Sequence, residues 1–357
     1  MATIFNREYT KEELMKYIGD ISQVADARIC EIKTGRGKGV SVIDVRTGGG
    51  LSFSILPDRG MDIAWSEHKG IPLAHISKTG VTSPFSFDDE GIKFFRSFTA
   101  GLLTTCGLTY MGAPCIDDGQ ELGVHGRIGN IPAEDVSIYK EWEGDDFVIK
   151  VRGKVRESAY FAENITLTRT ITINLGENKV AFHDVVENCG FETQPIMLLY
   201  HFNFGHPLVG KDTKLFHTSA DITPRDDVSS KGMDSYDSFH QPEHKYAEQV
   251  FFFDMNPQDA QVFSCLYNET LGSGLGVYLN YKKSQLKLFT EWKQMGEGDY
   301  VVAMEPCNST PIGRVAARES GILEYIQPGE KRCFDIELGI VEGKKELKEK
   351  FPHIKCF

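Results

Sequence analysis

The chain has 357 residues, 41% hydrophobic and 25% charged, with 35 Gly and 14 Pro, which excludes a stapled peptide, a collagen-like chain and a disordered tail. Its 39 basic and 51 acidic residues give a formal charge of −12 with the acidic residues spread along the chain, so nothing forms the basic footprint that nucleic acid demands. The longest apolar runs, 195–200 and 250–253, fall far short of the roughly 20 residues of a membrane helix, and the N-terminus lacks the pattern of a secretory signal, so no membrane contact and a cytoplasmic location are expected.

In chain order, Thr10 and Glu13 form a capping-box pattern ahead of Leu14, Tyr17 and Ile18 and predict a short helix. Residues 40–45 and 51–56 flank Thr47-Gly-Gly-Gly as a hairpin, and strands follow at 147–155, 165–173 and 180–187. Within 165–173 the alternation is strict: positions 165, 167, 171 and 173 pack, while Thr166, Thr168, Thr170 and Thr172 face out. Further strands are predicted at 195–204, 262–267, 276–281, 286–292, 300–305 and 334–341, with a turn at Pro328-Gly329-Glu330. The irregular stretch 206–249, rich in Asp, Ser, His and Pro, reads as a long functional loop. A second helix is expected at 344–351, docked by Leu347 and Phe351. Recurrent strands without strand–helix alternation predict an all-β fold, a sandwich of large antiparallel sheets with a few short helices. It reads as one domain over 1–357, with an N-terminal extension at 1–39 and a short tail at 344–357. The eight cysteines, at 30, 106, 115, 189, 265, 307, 333 and 356, show no C-x-x-C, so they read as reduced, mostly buried small residues, and no metal site is expected from them.

Four segments carry candidate chemistry. In Leu198-Leu-Tyr-His-Phe-Asn-Phe-Gly205 the period of two puts His201 and Asn203 on one face, with Tyr200 and Phe202 on the other. An imidazole there is either a bonded core group or a general acid working near neutral pH, with Asn203 orienting it. Glu305 ends an apolar strand just before a proline, so it either pairs with Arg314 or Arg318 or serves as a base. Three glycines surround His125 and Arg127 in 122–130, a pattern that lets backbone approach a ligand closely. Asp58 and Arg59 sit in a tight turn, where salt-bridge roles are commoner than catalysis. Gly35-Arg-Gly-Lys-Gly39 lacks the context of a phosphate cradle, His201 and His206 are five apart, and Cys106 and Cys307 lack a visible electropositive setting.

Residues 56–63 (Leu-Pro-Asp-Arg-Gly-Met-Asp-Ile), 101–108 (Gly-Leu-Leu-Thr-Thr-Cys-Gly-Leu), Val124-His-Gly-Arg127, Leu199-Tyr-His-Phe-Asn-Phe-Gly205 and Ala303-Met-Glu-Pro-Cys-Asn308 occur in that order. Together they resemble the aldose 1-epimerase-like (galactose mutarotase-like) family, and more narrowly a branch mostly of unassigned function. The resemblance runs from about residue 40 to residue 343. It implies a β-supersandwich with a sugar site in an open cleft, and a cytosolic isomerase of carbohydrate metabolism that needs no cofactor and no metal. By motif position it also implies His201 as acid, Glu305 as base, and His125 with Arg127 or Arg59 holding the sugar. Trp292 or Phe204 would cover a sugar face, and Asn203 and Asn308 join the binding set. His201 is followed directly by Phe-Asn-Phe-Gly, and the aspartate that contacts sugar hydroxyls in better-known members has no clear counterpart. Residues 292–297 and Asn308 look characteristic of the branch.

The function expected is interconversion of sugar anomers by acid–base ring opening and reclosure on a monosaccharide or sugar derivative. One alternative is epimerisation or isomerisation at another carbon, metal-assisted through His125, His201, His206 and Glu305. Another is a non-catalytic carbohydrate-binding module. Exposed sheet edges suit either a monomer or a homodimer.

Overall fold

The computed structural model describes residues 2–4, 7–218, 220–257 and 260–352, so Cys356 and the end of the expected tail lie outside the described residues. Two large antiparallel sheets dominate, as the strand-rich sequence predicts. The 8-stranded sheet runs, edge to edge, Glu134–Glu143, Asp146–Ser158, Asn164–Asn174, Lys179–Asn188, Lys331–Glu342, Leu275–Lys282, Gln261–Asn268 and Thr213–His217. The 12-stranded sheet runs Ala220–Pro224, Gln249–Met255, Leu288–Gly296, Asp299–Cys307, Gln194–Gly205, Leu103–Leu108, Asp62–His68, Leu51–Leu56, Ser41–Arg46 and Asp26–Glu31, with Glu324–Ile326 and Ile71–Pro72 attached as short extras.

Alternation decides which face of each strand enters the core. Ile196, Leu198, Tyr200, Phe202 and Phe204 of one strand meet Ile165, Leu167, Ile171 and Ile173 of the facing sheet in one continuous apolar cluster. His201 and Asn203 consequently point to the opposite face of the 12-stranded sheet. Phe204, a candidate to cover a sugar, is committed to the core by the same alternation.

Several differences from the sequence reading have simple causes. Asp26–Glu31, inside the expected N-terminal extension, pairs with Ser41–Arg46 and forms a sheet edge. The expected loop 206–249 contains the strands Thr213–His217 and Ala220–Pro224 and the short helix Asp227–Ser230; its polar composition hid short edge strands that are wet on one side. Helices were expected only at the two ends, and both are found there. The Thr10–Glu13 capping box starts Lys11–Met15, and Gly343–Lys350 docks through Leu347 and through Phe351 stacked on Phe263. Arg314–Glu319 is a further helix that a short polar segment did not reveal. Of the cysteines, Cys106, Cys265 and Cys307 are buried, whereas Cys30 and Cys333 are exposed.

A polar cluster centred on Arg169 spans the apolar layer, and buried Glu157 bridges the sheets beside it by accepting from the Leu108 amide and the Thr109 hydroxyl. Arg169 falls on the inward face of its alternating strand and has no exposed surface. Its Nε lies 3.0 Å and one terminal nitrogen 2.7 Å from the two oxygens of Asp184, a forked pair within its own sheet. The remaining donors reach Asp62 Oδ1 at 3.0 Å and Thr105 Oγ1 at 2.9 Å on the opposite sheet. Tyr200 donates its hydroxyl to Asp184 at 2.8 Å, and Asp62 accepts both the Thr105 amide at 2.9 Å and the Thr105 hydroxyl at 2.6 Å. Burial pushes the Asp62 carboxyl up to about 6 against the pull of Arg169.

Removing one member of such a cluster strands the other charges in a low-dielectric layer. Arg169→Ala is therefore expected to lower the free energy of urea unfolding by about 3–5 kcal/mol. Arg169→Lys, which keeps the charge and loses the fork, should recover only part of it. Wild-type stability in Arg169→Ala would show that the cluster does not couple the sheets.

Candidate active site

His201 and Glu305 meet because two strands pair in one register. Leu199 faces Cys307 and Asn203 faces Ala303 across the Gln194–Gly205 and Asp299–Cys307 strands, so His201 stands directly across from Glu305. Thr290 lies beside Glu305 on the next strand, and Trp292 lies opposite Ala303. Nε2 of His201 is 3.2 Å from Oε1 of Glu305, with the two side chains only 5% and 2% exposed. That Glu305 oxygen is buried and has no hydrogen bond of ordinary geometry, so its hydrogen-bonding capacity is unspent.

The third member arrives from a loop. His125 has φ of 60° and Gly126 φ of 78°, and a Cβ at Gly126 would sit 2.2 Å from the carbonyl oxygen of Gly107. This tight double turn is anchored to the neighbouring strand: Gly107 donates to the His125 carbonyl at 3.0 Å, and the Arg127 amide donates to the Gly107 carbonyl at 2.9 Å. His125 thereby brings its ring to 5.7 Å from that of His201, edge to face. Phe98 and Trp292 lie at 5.5 and 5.4 Å from the His201 ring, and Phe94 lies 5.4 Å from that of His125.

His125, His201, Glu305, Phe98 and Trp292 line a cavity of about 490 Å³, large enough for a monosaccharide. Its polar lining is His125, His201, Glu305, Thr290, Arg225 and Glu248. Arg225 and Glu248 escaped the sequence reading because they lie in the polar stretch 206–249, where charged residues are usually solvated. The one signal available was the neighbourhood of the apolar run 250–253. Glu248 accepts Trp292 Nε1–H at 2.8 Å and an Arg225 N–H at 3.0 Å, which fixes the indole at the wall.

Other predicted site residues turn away from the cavity. Arg59 is buried and spends its donors on the carbonyls of Thr82, Ser97 and Gly129 and on the Thr82 hydroxyl, so it braces loops. Arg127 donates to Asp89 at 2.5 Å and lies over the Tyr110 ring. Asn308 joins two main-chain groups of the neighbouring strand, accepting from Leu198 N–H at 2.7 Å and donating to Ile196 O at 3.0 Å. Asn203 donates to the main-chain oxygen of His201 at 2.8 Å. Arg314 and Arg318 bind Asp117 rather than Glu305. His206 opens onto a separate cavity with Lys211, Asp212 and Tyr300, so the four-residue metal set does not assemble. Cys106 and Cys307 are buried with thiols pushed above their ordinary range, chiefly by burial, which keeps them un-ionised.

Burial governs the protonation of the site. It pushes the Glu305 carboxyl well above its ordinary value, with the negative charges of Glu248 and Glu291 adding to the effect and Arg225 opposing it. It pushes the His201 imidazole well below its ordinary value, helped by His125 and opposed by the Asn203 side chain, and lowers His125 to about 4. Burial thus favours the uncharged form of each member of the pair.

Residues 37–340 match the sequence model of the family described as Domain of unknown function (DUF4432). No curated protein matches the chain. Among solved structures, a candidate aldose 1-epimerase from Klebsiella pneumoniae subsp. pneumoniae MGH 78578 is 22% identical, with a TM-score of 0.86 over 92% of this chain and 88% of that one. A galactose mutarotase-like protein from Clostridium acetobutylicum is 16% identical, with a TM-score of 0.61 over 90% of this chain and 99% of that one. Galactose 1-epimerase from Lactobacillus acidophilus NCFM is 12% identical, with a TM-score of 0.54 over 89% of this chain and 99% of that one. The likeness establishes the galactose mutarotase-like fold that the sequence motifs implied.

A buried acid held protonated costs stability where the unfolded chain ionises. The folded Glu305 carboxyl keeps its proton well above 4.5, so wild type loses stability as pH rises through and beyond that value. Glutamine has no proton to lose. The thermal-unfolding midpoint of Glu305→Gln is expected to exceed that of wild type by a margin that widens as pH rises above the ordinary carboxylate range. A margin independent of pH would show that Glu305 ionises freely in the folded protein.

Proposed function

We propose that the chain, which belongs to the DUF4432 family, is an aldose 1-epimerase that interconverts the anomers of a monosaccharide. The observation that carries this reading is the buried His201–Glu305 pair, 3.2 Å apart, in the wall of a sugar-sized cavity. Ring opening of a cyclic sugar needs a base for the anomeric hydroxyl and an acid for the ring oxygen at the same moment. Two groups on adjacent strands can address those two oxygens of one hemiacetal.

Sugar hydroxyls that hydrogen-bond the carboxyl group favour its ionised form, and the proton then moves across the 3.2 Å contact to His201. Glu305 takes the proton from the anomeric oxygen while Nε2 of His201 gives one to the ring oxygen. The bond between the anomeric carbon and the ring oxygen breaks and a carbonyl forms. Rotation about the next carbon–carbon bond presents the other carbonyl face. Reclosure returns both protons along the same path, so each residue acts once as acid and once as base. His125 is uncharged and can donate to or accept from a ring hydroxyl, and Trp292, held by Glu248, offers its indole to an apolar sugar face. Chemistry at another carbon or simple sugar binding would use the same cavity, but neither accounts as directly for an acid–base pair at this spacing.

Saturation-transfer NMR of anomer exchange on a panel of aldoses tests the reading. Acceleration above the spontaneous rate is expected in wild type, with losses of about 10²- to 10⁴-fold in His201→Ala and in Glu305→Ala. The pH profile should be a bell. Its acid limb, where the imidazole takes a second proton, lies below the ordinary histidine range, and its basic limb, where the pair loses its proton, lies above the ordinary carboxylate range. Wild-type acceleration in either variant, or none in wild type on any sugar, would remove the assignment.

A further inference from the structure

The charges around the cavity are matched or surplus negative. Among the described residues that line it, Arg225 alone carries a guanidinium or ammonium group. Arg225 Nε donates to Asp226 at 2.8 Å and another of its N–H groups donates to Glu248 at 3.0 Å, so one cation faces two carboxylates. Hydrogen bonds, chiefly from the Ser229 amide and then from Arg225, hold the Asp226 carboxyl down at about 2, so it is ionised at neutral pH. The two other arginines near the site are spent: Arg127 on Asp89, and Arg59 on the Thr82 hydroxyl and three main-chain carbonyls. An entering carboxylate or phosphate would gain no cation and would face the net negative charge of the Arg225, Asp226 and Glu248 trio.

The rest of the wall is apolar. Ile92 and Phe95 line the cavity while remaining 68% and 53% exposed, and Val124, Val250 and Ile312 continue the lining. Large apolar side chains left exposed at the mouth of a site suit a ligand that covers them with carbon. A sugar edge rich in hydroxyls would lose hydrogen bonds to water there without replacement.

We infer that the cavity selects an uncharged sugar with an apolar, deoxygenated edge, and discriminates against sugar acids and sugar phosphates. This rests on the cavity being a sugar site and names the class of sugar that its walls fit. A methyl group in place of the terminal hydroxymethyl, as in a 6-deoxyhexose, fits the apolar wall, while the ring hydroxyls meet His125, His201, Glu305 and Glu248. Glu248 sets the charge selectivity as well as holding Trp292.

The test is binding, read by titration calorimetry and tryptophan fluorescence at neutral pH and low salt. The ligands are aldohexoses in the gluco, galacto and manno series, each as the parent sugar, the 6-deoxy sugar, the uronate and the 6-phosphate. In at least one series the 6-deoxy sugar is expected to bind as tightly as the parent or more tightly, with uronate and phosphate weaker by about tenfold or more. Glu248→Gln, which removes the surplus charge, should narrow the gap for the uronate, and Arg225→Gln should widen it. A uronate or phosphate that binds as well as its neutral counterpart, or no binding by any ligand in any series, overturns the inference. Selective binding of neutral sugars without faster anomer exchange would uphold the selectivity and defeat the catalytic reading. Faster exchange with a uronate as best substrate would do the reverse.

Discussion

The structure turns on a single guanidinium that has no contact with water. Arg169 grips Asp184 in its own sheet and Asp62 and Thr105 in the other, and buried Glu157 makes a second link by accepting from the Leu108 amide and the Thr109 hydroxyl, so two apolar faces that could slide past one another are pinned. Hydrophobic packing is non-directional, and alternation alone would tolerate the sheets at several relative offsets. Directional hydrogen bonds to a planar fork tolerate far fewer. Thr105 is the link that matters for the site, because its strand neighbours Thr104 and Gly107 respectively pair with His201 and anchor the His125 turn. A constraint in the inter-sheet layer thus places two histidines on the outer face.

The two buried polar assemblies obey opposite electrostatic logic. Around Arg169 every charge has a close partner, so the members of the cluster satisfy one another inside a low-dielectric layer. In the proposed active site His201 and Glu305 are equally buried and His125 is half-buried, but all three lack full-strength ion pairs, so burial drives each toward its neutral form. Neutral groups with unspent hydrogen-bonding capacity can exchange protons with a ligand, whereas a locked ion cluster cannot. The site therefore carries a stability cost that the Arg169 cluster does not, as is usual where chemistry needs poised groups.

Much of this was legible in the chain. Strict alternation assigned His201 to the face opposite Tyr200 and Phe202, and the proline after Glu305 marked the end of its apolar strand. The glycines around His125 read as a close approach of backbone to a ligand; the approach at Gly126 is to the main chain of Gly107. The same reading overvalued Arg59, Asn203 and Asn308, because a polar residue in a motif looks alike whether it serves a ligand or a main-chain carbonyl. Asn308 is such a case: it sits within a motif of the site and staples the main chain of the His201 strand. Arg169 was passed over for a related reason, being the one charged residue on the inward positions of an otherwise apolar alternation.

Local periodicity belongs to the sequence, since successive side chains on a strand must point to opposite faces whatever the strand pairs with. From it follow the all-β architecture, the inward and outward sets, and the separate candidacies of His201, Glu305 and His125. Register and convergence are non-local. That Glu305 stands across from His201 depends on which residue of one strand meets which of another, roughly a hundred positions away in the chain, and a shift of one residue would turn either side chain into the core. The recruitment of Arg225 and Glu248, the diversion of Arg127 to Asp89, and the surplus negative charge at the cavity were likewise decided by how distant segments pack, because an ion's partner is chosen by distance in space and not along the chain.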